Sequence, residues 1–152
     1  MSVADAKPRT FTFPRHADLA GDAGGESVSV VVLEVIEPAF GLYVWPSSIA
    51  LAEHIYEHQA QFRGKRVLEL GSGVGLSGLV AAAVRARCVV LSDRAESPRV
   101  LENMRAALAQ NHPATRARCS VMGLTWGRFP ESLRLLEAPD VIIGADVLYQ
   151  SS

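Results

Sequence analysis

Residues Val67 to Gly78, VLELGSGVGLSG, admit few folds. The stretch KRVLEL ending at Leu70 reads as a short buried strand, and Leu76 to Val84 is apolar enough for a helix packed on a sheet. Between them, Gly71, Gly73 and Gly75 let the backbone turn tightly and come close to a ligand. Strand, glycine turn and helix make the first half of a βαβ unit. Such a unit commits its neighbours to a parallel sheet joined by helical crossovers.

The rest of the chain continues that alternation. CVVLSD (88–93), ARCSVM (117–122) and PDVIIGADVLY (139–149) read as further strands. A helix is expected after Pro46, with Ser47 or Ser48 as its cap, running to about Gln59. Another opens at Ser97-Pro98 and places Val100, Leu101, Met104, Ala107 and Leu108 on one face. PESLRLLE (130–137) reads as a short helix. Ahead of these, VSVVVLEVI (28–36) is β-branched enough for a strand. Residues 1–26 are polar, with Pro, Asp and Gly throughout, and are expected to be flexible, although Phe11 and Phe13 alternate with Thr and suit a short added strand. The expected organisation is a flexible segment, 1–26, and one α/β domain, 27–152.

Of the 152 residues, 49% are hydrophobic and 20% charged, which is globular composition. The net charge of -1 gives no electrostatic footprint for nucleic acid or an anionic membrane. There is no secretory h-region and no apolar run of membrane-spanning length, so a soluble intracellular protein is expected. Cys88 and Cys119 are spaced as neither a disulfide framework nor a zinc knuckle and read as reduced core thiols.

Three chemistries compete for the glycine turn. A phosphate loop needs Lys-Ser or Lys-Thr after its last glycine; Gly64-Lys65 is followed by Arg66, so that reading falls. A dinucleotide turn wants a third glycine where Leu76 stands, which leaves a nicotinamide site as the weaker reading. The pattern present is Glu69-x-Gly71-x-Gly73-x-Gly75. A carboxylate before the turn repels a pyrophosphate and suits a cationic group such as the amine of a methionine moiety. Asp93 ends the next strand, where it can accept hydrogen bonds from ribose hydroxyls. An acid on each strand with glycines between them points to S-adenosylmethionine. His54 and His58 lack a third ligand and read as a solvated helix face. Ser72 and Ser77 do not complete a nucleophile elbow, and RGKR (63–66) reads as a solvated loop. No metal site is expected.

EPAFGLYVWPSSIALAEHI, VLELGSGVGLSGLVAA, LSDRAESPRVLENMRAALAQN, GLTWG and DVIIGADVLY occur in this order, and over about Val28 to Tyr149 the chain resembles the seven-strand methyltransferases grouped as methyltransferase family 16. The resemblance implies a Rossmann-like class I methyltransferase sheet and an enzyme using S-adenosylmethionine to methylate lysine or arginine on proteins such as histones or chaperones. It implies cofactor contacts at Glu69, Gly71, Gly73, Gly75 and Asp93, at Trp126 beside adenine, and at Trp45 over the methionine end. It also implies that Asp146 and Tyr149, from D-x-x-Y, lie near the methyl group and the target side chain. A cytoplasmic and nuclear location follows from the same resemblance.

The family sheet has seven strands, in the order three-two-one-four-five-seven-six, of which this sequence supplies the first four. A shortened isoform or fragment with impaired activity is therefore expected, its last strand an exposed edge open to self-association. The alternative is a non-catalytic module that binds cofactor or a protein partner.

Overall fold

The computed structural model describes residues 6–14, 27–35, 42–128 and 130–148. Its centre is a four-stranded parallel sheet of β3 (Arg66–Leu70), β4 (Cys88–Asp93), β5 (Cys119–Gly123) and β6 (Val141–Gly144), in the order β5-β4-β3-β6. The order follows from the crossovers. From β3 to β4 to β5 the chain steps in one direction, and right-handed crossovers then put both connecting helices on one face. The step from β5 back across the sheet to β6 reverses direction and takes its connection to the other face. This arrangement equals strands three, two, one and four of the order implied by the sequence resemblance.

The two crossover helices are α3 (Leu76–Ala83) and α4 (Pro98–Ala109). Seven of the eight residues of α3 are buried, because sheet, α1 (Pro46–Glu57) and β2 (Val28–Glu34) all pack around it. β2 pairs antiparallel with β1 (Lys7–Phe13), with Phe11 opposite Val30 and Phe13 opposite Val28. Lys7–Phe13 thus forms the added strand anticipated at Phe11 and Phe13, within a segment otherwise expected to be flexible; residues 1–5 and 15–26 lie outside the described residues. Leu76, Leu79, Val80, Val89, Leu91, Met104, Val30, Val32 and Ile55 form the centre of the core.

β2 lies on α3 and α4, and two buried amides of α4 and the turn after it satisfy its backbone. Asn111 accepts from Val31 N–H at 2.9 Å and donates to Val31 C=O at 2.7 Å and Ala107 C=O at 2.8 Å. Asn103, 1% exposed, donates to Leu33 C=O at 2.8 Å. An asparagine presents donor and acceptor together, so it can pair with a strand edge as another strand does.

Several local expectations are corrected. α1 begins at Pro46 with Trp45 as N-cap, so neither Ser47 nor Ser48 caps it; Ser48 instead donates its hydroxyl to Trp45 C=O. Ser97 is the N-cap of α4 but makes no side-chain cap bond. PESLRLLE contributes only the four residues of α6 (Glu131–Arg134). Cys88 is exposed at the start of β4, so it is not a core thiol; Cys119 is half-buried, and burial pushes its thiol up to about 12. Arg66 of RGKR opens β3 rather than a solvated loop. Its guanidinium and amide donate to Asp140, and its guanidinium to Glu137, which pins the start of β3 to the approach to β6. Asp140 is held well below the usual carboxylate range by those Arg66 hydrogen bonds. Among the described residues no helix is long and apolar enough to cross a membrane.

Replacing Asn111 with Ala removes three hydrogen bonds and leaves both polar groups of Val31 to find new partners. The expected cost is about 2–3 kcal/mol. Urea unfolding checks it: the midpoint should fall while the slope stays unchanged. An unaltered midpoint would mean that the α4–β2 seam does not depend on this amide.

Candidate cofactor and substrate site

The site lies outside the C-terminal ends of the parallel strands, where open α/β sheets bind ligands. Its floor is the turn from β3 to α3. Gly71, Gly73 and Gly75 all have positive φ (60°, 54° and 82°), a region in which side chains with a Cβ are disfavoured. The turn is tied to β4 by a reciprocal pair: Ser72 N–H donates to Ser92 C=O at 2.9 Å, and Ser92 N–H donates to Ser72 Oγ at 3.0 Å. Ser72 and Ser92, both buried, therefore extend the β3–β4 ladder past the strand ends.

Glu69 supports this floor from beneath. It is 3% exposed, and its Oε2 accepts from Gly78 N–H at 3.1 Å. Burial pushes its carboxyl up to about 7, only partly offset by the Ser72 and Ser77 hydroxyls and the Gly78 amide. Gly78 makes this contact possible. A Cβ there would stand 2.6 Å from Glu69 Oε2 and 2.2 Å from Leu91 Cδ2. The helix sits on β3 and β4 at its one residue without a side chain. The carboxylate faces the helix here, not the open side of the turn.

Asp93, at the end of β4, is half-buried and faces the turn. Its Oδ2 accepts from Gly73 N–H at 2.9 Å, and its Oδ1 accepts from Arg94 N–H at 2.8 Å. The loop after β5 is drawn alongside. Leu124 N–H donates to Asp93 C=O at 2.7 Å, and Thr125 donates to the Glu96 carboxylate at 2.8–2.9 Å. That hydroxyl holds the Glu96 carboxyl below its ordinary value. Trp126 follows directly, with 52% of its surface exposed.

Trp45 reaches the same end of the sheet by another route. Ser77 at the start of α3 donates to Ser48 C=O at 3.2 Å, so the first turns of α1 and α3 meet. Trp45 caps α1 there, is 41% exposed and packs edge-on against Tyr43 at 5.7 Å. Neither tryptophan is a core residue.

After β6 the chain folds back. Asp146 has φ of +56°, a left-handed conformation that Asp tolerates better than most residues. The reversal seats Val147 in a notch made by two glycines: a Cβ on Gly71 would lie 2.9 Å from Val147 Cγ1, and one on Gly144 3.1 Å from Cγ2. Because Gly144 is the register partner of Leu70, Val147 covers the adjoining ends of β3 and β6. Asp146 is left exposed at the rim. Tyr149 lies outside the described residues.

Glu69, the three glycines, Asp93, Trp126, Trp45 and Asp146 thus converge on one end of the sheet. Sequence reasoning missed the residues that hold them: Gly78, Ser92, Thr125, Glu96 and Val147. Gly78 carried a signal, a lone glycine inside an apolar helix, which often marks close packing. Thr125–Glu96 spans two loops and carried none. His54 and His58 stack on each other at 4.2 Å on the exposed side of α1, and no group of three or more metal-binding side chains occurs among the described residues.

A buried acid whose pKa is raised takes up its proton more readily folded than unfolded. Between pH 4.5 and about 7 the folded chain therefore holds more protons at Glu69 than the unfolded chain does. The stability this contributes is fully present below pH 4.5 and is lost as pH rises through 7. Glu69→Gln should flatten the fall in stability across that window by one proton's worth of slope, read from denaturant melts at stepped pH. An unchanged slope would place the titration elsewhere.

The arrangement fits S-adenosylmethionine. A ribose diol calls for an acceptor beside closely approaching backbone and an adenine for a flat apolar surface; Asp93 lies on the Gly73 amide and Trp126 is exposed nearby. Comparison with known proteins agrees. Residues 26–152 match methyltransferase family 16, described as lysine methyltransferase. The histone-arginine methyltransferase METTL23 of Xenopus laevis is 40% identical over 125 residues, covering 82% of this chain and 52% of that protein. The protein N-lysine methyltransferase METTL21A of Danio rerio is 38% identical over 109 residues, covering 70% of this chain and 47% of that protein. The chain spans about half the length of these relatives. Arabidopsis thaliana protein arginine methyltransferase 10 superposes with a TM-score of 0.53 at 24% identity, over 63% of this chain and 25% of that one, a likeness of fold alone. The chain belongs to methyltransferase family 16, and that membership implies S-adenosylmethionine as its cofactor.

Proposed function

We propose that the chain is the cofactor-binding part of a protein methyltransferase that transfers a methyl group to a lysine or arginine side chain, with a histone-type protein as substrate. The observation that carries this reading is the Asp93 carboxylate on the Gly73 amide, between the glycine turn and the Trp126 loop. The relatives named as histone-arginine and protein-lysine methyltransferases support the substrate class. A cytoplasmic and nuclear location belongs to the same reading.

When bound, S-adenosylmethionine supplies an electrophilic methyl group on a sulfonium. The protein's share is mostly positioning. Asp93 and the amides of the turn hold the ribose end, and Trp126 gives the adenine a surface. Trp45, at the junction of α1 and α3, covers the methionine end. Glu69 keeps the turn at its height above the strands; buried beneath Gly78, it serves the methionine end through the backbone it holds rather than by its own charge.

The target nitrogen must present a lone pair. A lysine amine is protonated at neutral pH and a guanidine always so, so the site has to take up or redirect a proton. Asp146 is assigned this role, supported by its exposure at the rim on a left-handed turn held by the Val147 seat, beside the glycine turn. Strain kept at one acidic residue, and held by a neighbour packed on two glycines, is the pattern expected of a functional position. Tyr149 completes the motif and is assigned the wall of the target channel. An inert relative that only binds cofactor or a partner is the competing reading.

Calorimetry with S-adenosylhomocysteine, paired with mass spectrometry of histones incubated with the chain and S-adenosylmethionine, tests this. Asp93→Ala should weaken binding tenfold or more. Asp146→Ala should lose transfer by a hundredfold or more while keeping binding within a few-fold. Equal loss of both would assign Asp146 to the cofactor, and binding without any transfer would favour the inert relative.

A further inference from the structure

A cavity of about 650 Å³ lies at the other end of α3 from the glycine turn. α3 rises about 1.5 Å per residue, so roughly 10 Å of helix separates the two. The volume is in the usual range of small-molecule sites, about 300–1,000 Å³. Its walls are the start of β2, α2 (Gln59–Phe62), the last turn of α3 and the residues around α5 (Pro113–Arg116). Arg63, Arg85, Arg118 and His112 line it, and no carboxylate does among the described residues.

Guanidinium groups are permanently charged, so Arg63 and Arg118 at one cavity repel each other unless something negative sits between them. Elsewhere the fold supplies that charge: Arg66 pairs with Asp140 and Glu137, and Arg9 with Glu34. Arg63 and Arg118 are held by neutral acceptors instead. Arg63 Nη2 donates to Gln59 Oε1 at 3.2 Å, and Arg118 Nη1 donates to Ala86 C=O at 3.0 Å. Neither pairs with a carboxylate among the described residues. These bonds orient the two groups and, among the described residues, leave their charge uncompensated.

Capping of α3 does not account for the cluster. Its terminal carbonyls already accept from backbone amides: Val80 from Val84, Ala81 from Ala86, and Ala82 from Arg85. His112 adds a further donor. Its Nδ1 accepts from Ala114 N–H at 3.2 Å, which puts the hydrogen of the neutral ring on Nε2.

We propose that this cavity binds a compact, multiply charged oxyanion, held by Arg63 and Arg118 with His112, independently of the glycine turn. Phosphates and polycarboxylates share the chemistry, since a guanidinium fork pairs with either.

Calorimetry of the full chain with inorganic pyrophosphate, and separately with citrate, tests it. The expected result is binding that weakens tenfold or more in Arg63→Gln/Arg118→Gln, weakens with added sodium chloride, and is unchanged in Asp93→Ala. Tighter binding of pyrophosphate marks a phosphate ligand, and tighter binding of citrate a carboxylate; either upholds the site. Absence of binding to both anions overturns it, as does full affinity in the double variant. Loss in Asp93→Ala instead puts the anion on the glycine turn and also overturns it. Should the double variant fail to fold for want of the Ala86 bond, Arg63→Gln decides alone: Arg63 is exposed, and a several-fold loss at an unchanged melting temperature is expected. Arg63→Lys, which keeps the charge but not the fork, should restore part of that loss.

Discussion

Glu69 beneath the amide of Gly78 is the contact on which the rest depends. It fixes how deeply α3 sits on β3 and β4, and with it the height of the glycine turn that opens α3. Burying a carboxylate is costly unless hydrogen bonds meet it. Here the Gly78 amide does so, and it does so incompletely, since burial still pushes the carboxyl up to about 7. An apolar residue of similar size would be cheaper for stability alone. An acid can instead accept from the Gly78 amide, which an apolar residue there would leave without that partner.

Much of this was legible in the sequence. The strands and crossovers followed from the alternation of buried runs and amphipathic stretches, because each pattern has only one way to hide its apolar face. The acids at 69 and 93 and the glycines between them were legible because tight turns and strand ends restrict residue type. The clasping contacts were not. Thr125 on Glu96 and Asn111 on Val31 join residues 29 and 80 apart in the chain, and nothing local announces them. The helix caps misled for a related reason. Ser47, Ser48 and Ser97 are good caps by type, yet Pro46 and Pro98 set where each helix starts, and tertiary contacts around the first turns took precedence.

The two ends of α3 have opposite electrostatic characters. At its start, carboxylates at 69 and 93 gather around backbone amides. At its end, guanidiniums at 63, 85 and 118 surround a cavity. RGKR, unremarkable as a string, divides between these tasks: Arg66 locks β3 to the approach to β6, and Arg63 faces the cavity. One short basic run is thus half structural clasp and half surface charge, a distinction that only the fold makes.

Val147 rests on Gly71 and Gly144 together, so the glycine turn and the reversal that presents Asp146 share one mechanical bearing. Neither can be adjusted alone. A bulkier side chain at 147 would press on the turn as it re-aimed the acid, and a smaller one would slacken both. Variation at this position is therefore expected to be tied to variation at 71 and 144, and a redesign of the reversal after β6 that ignored the bearing would shift the glycine turn as well.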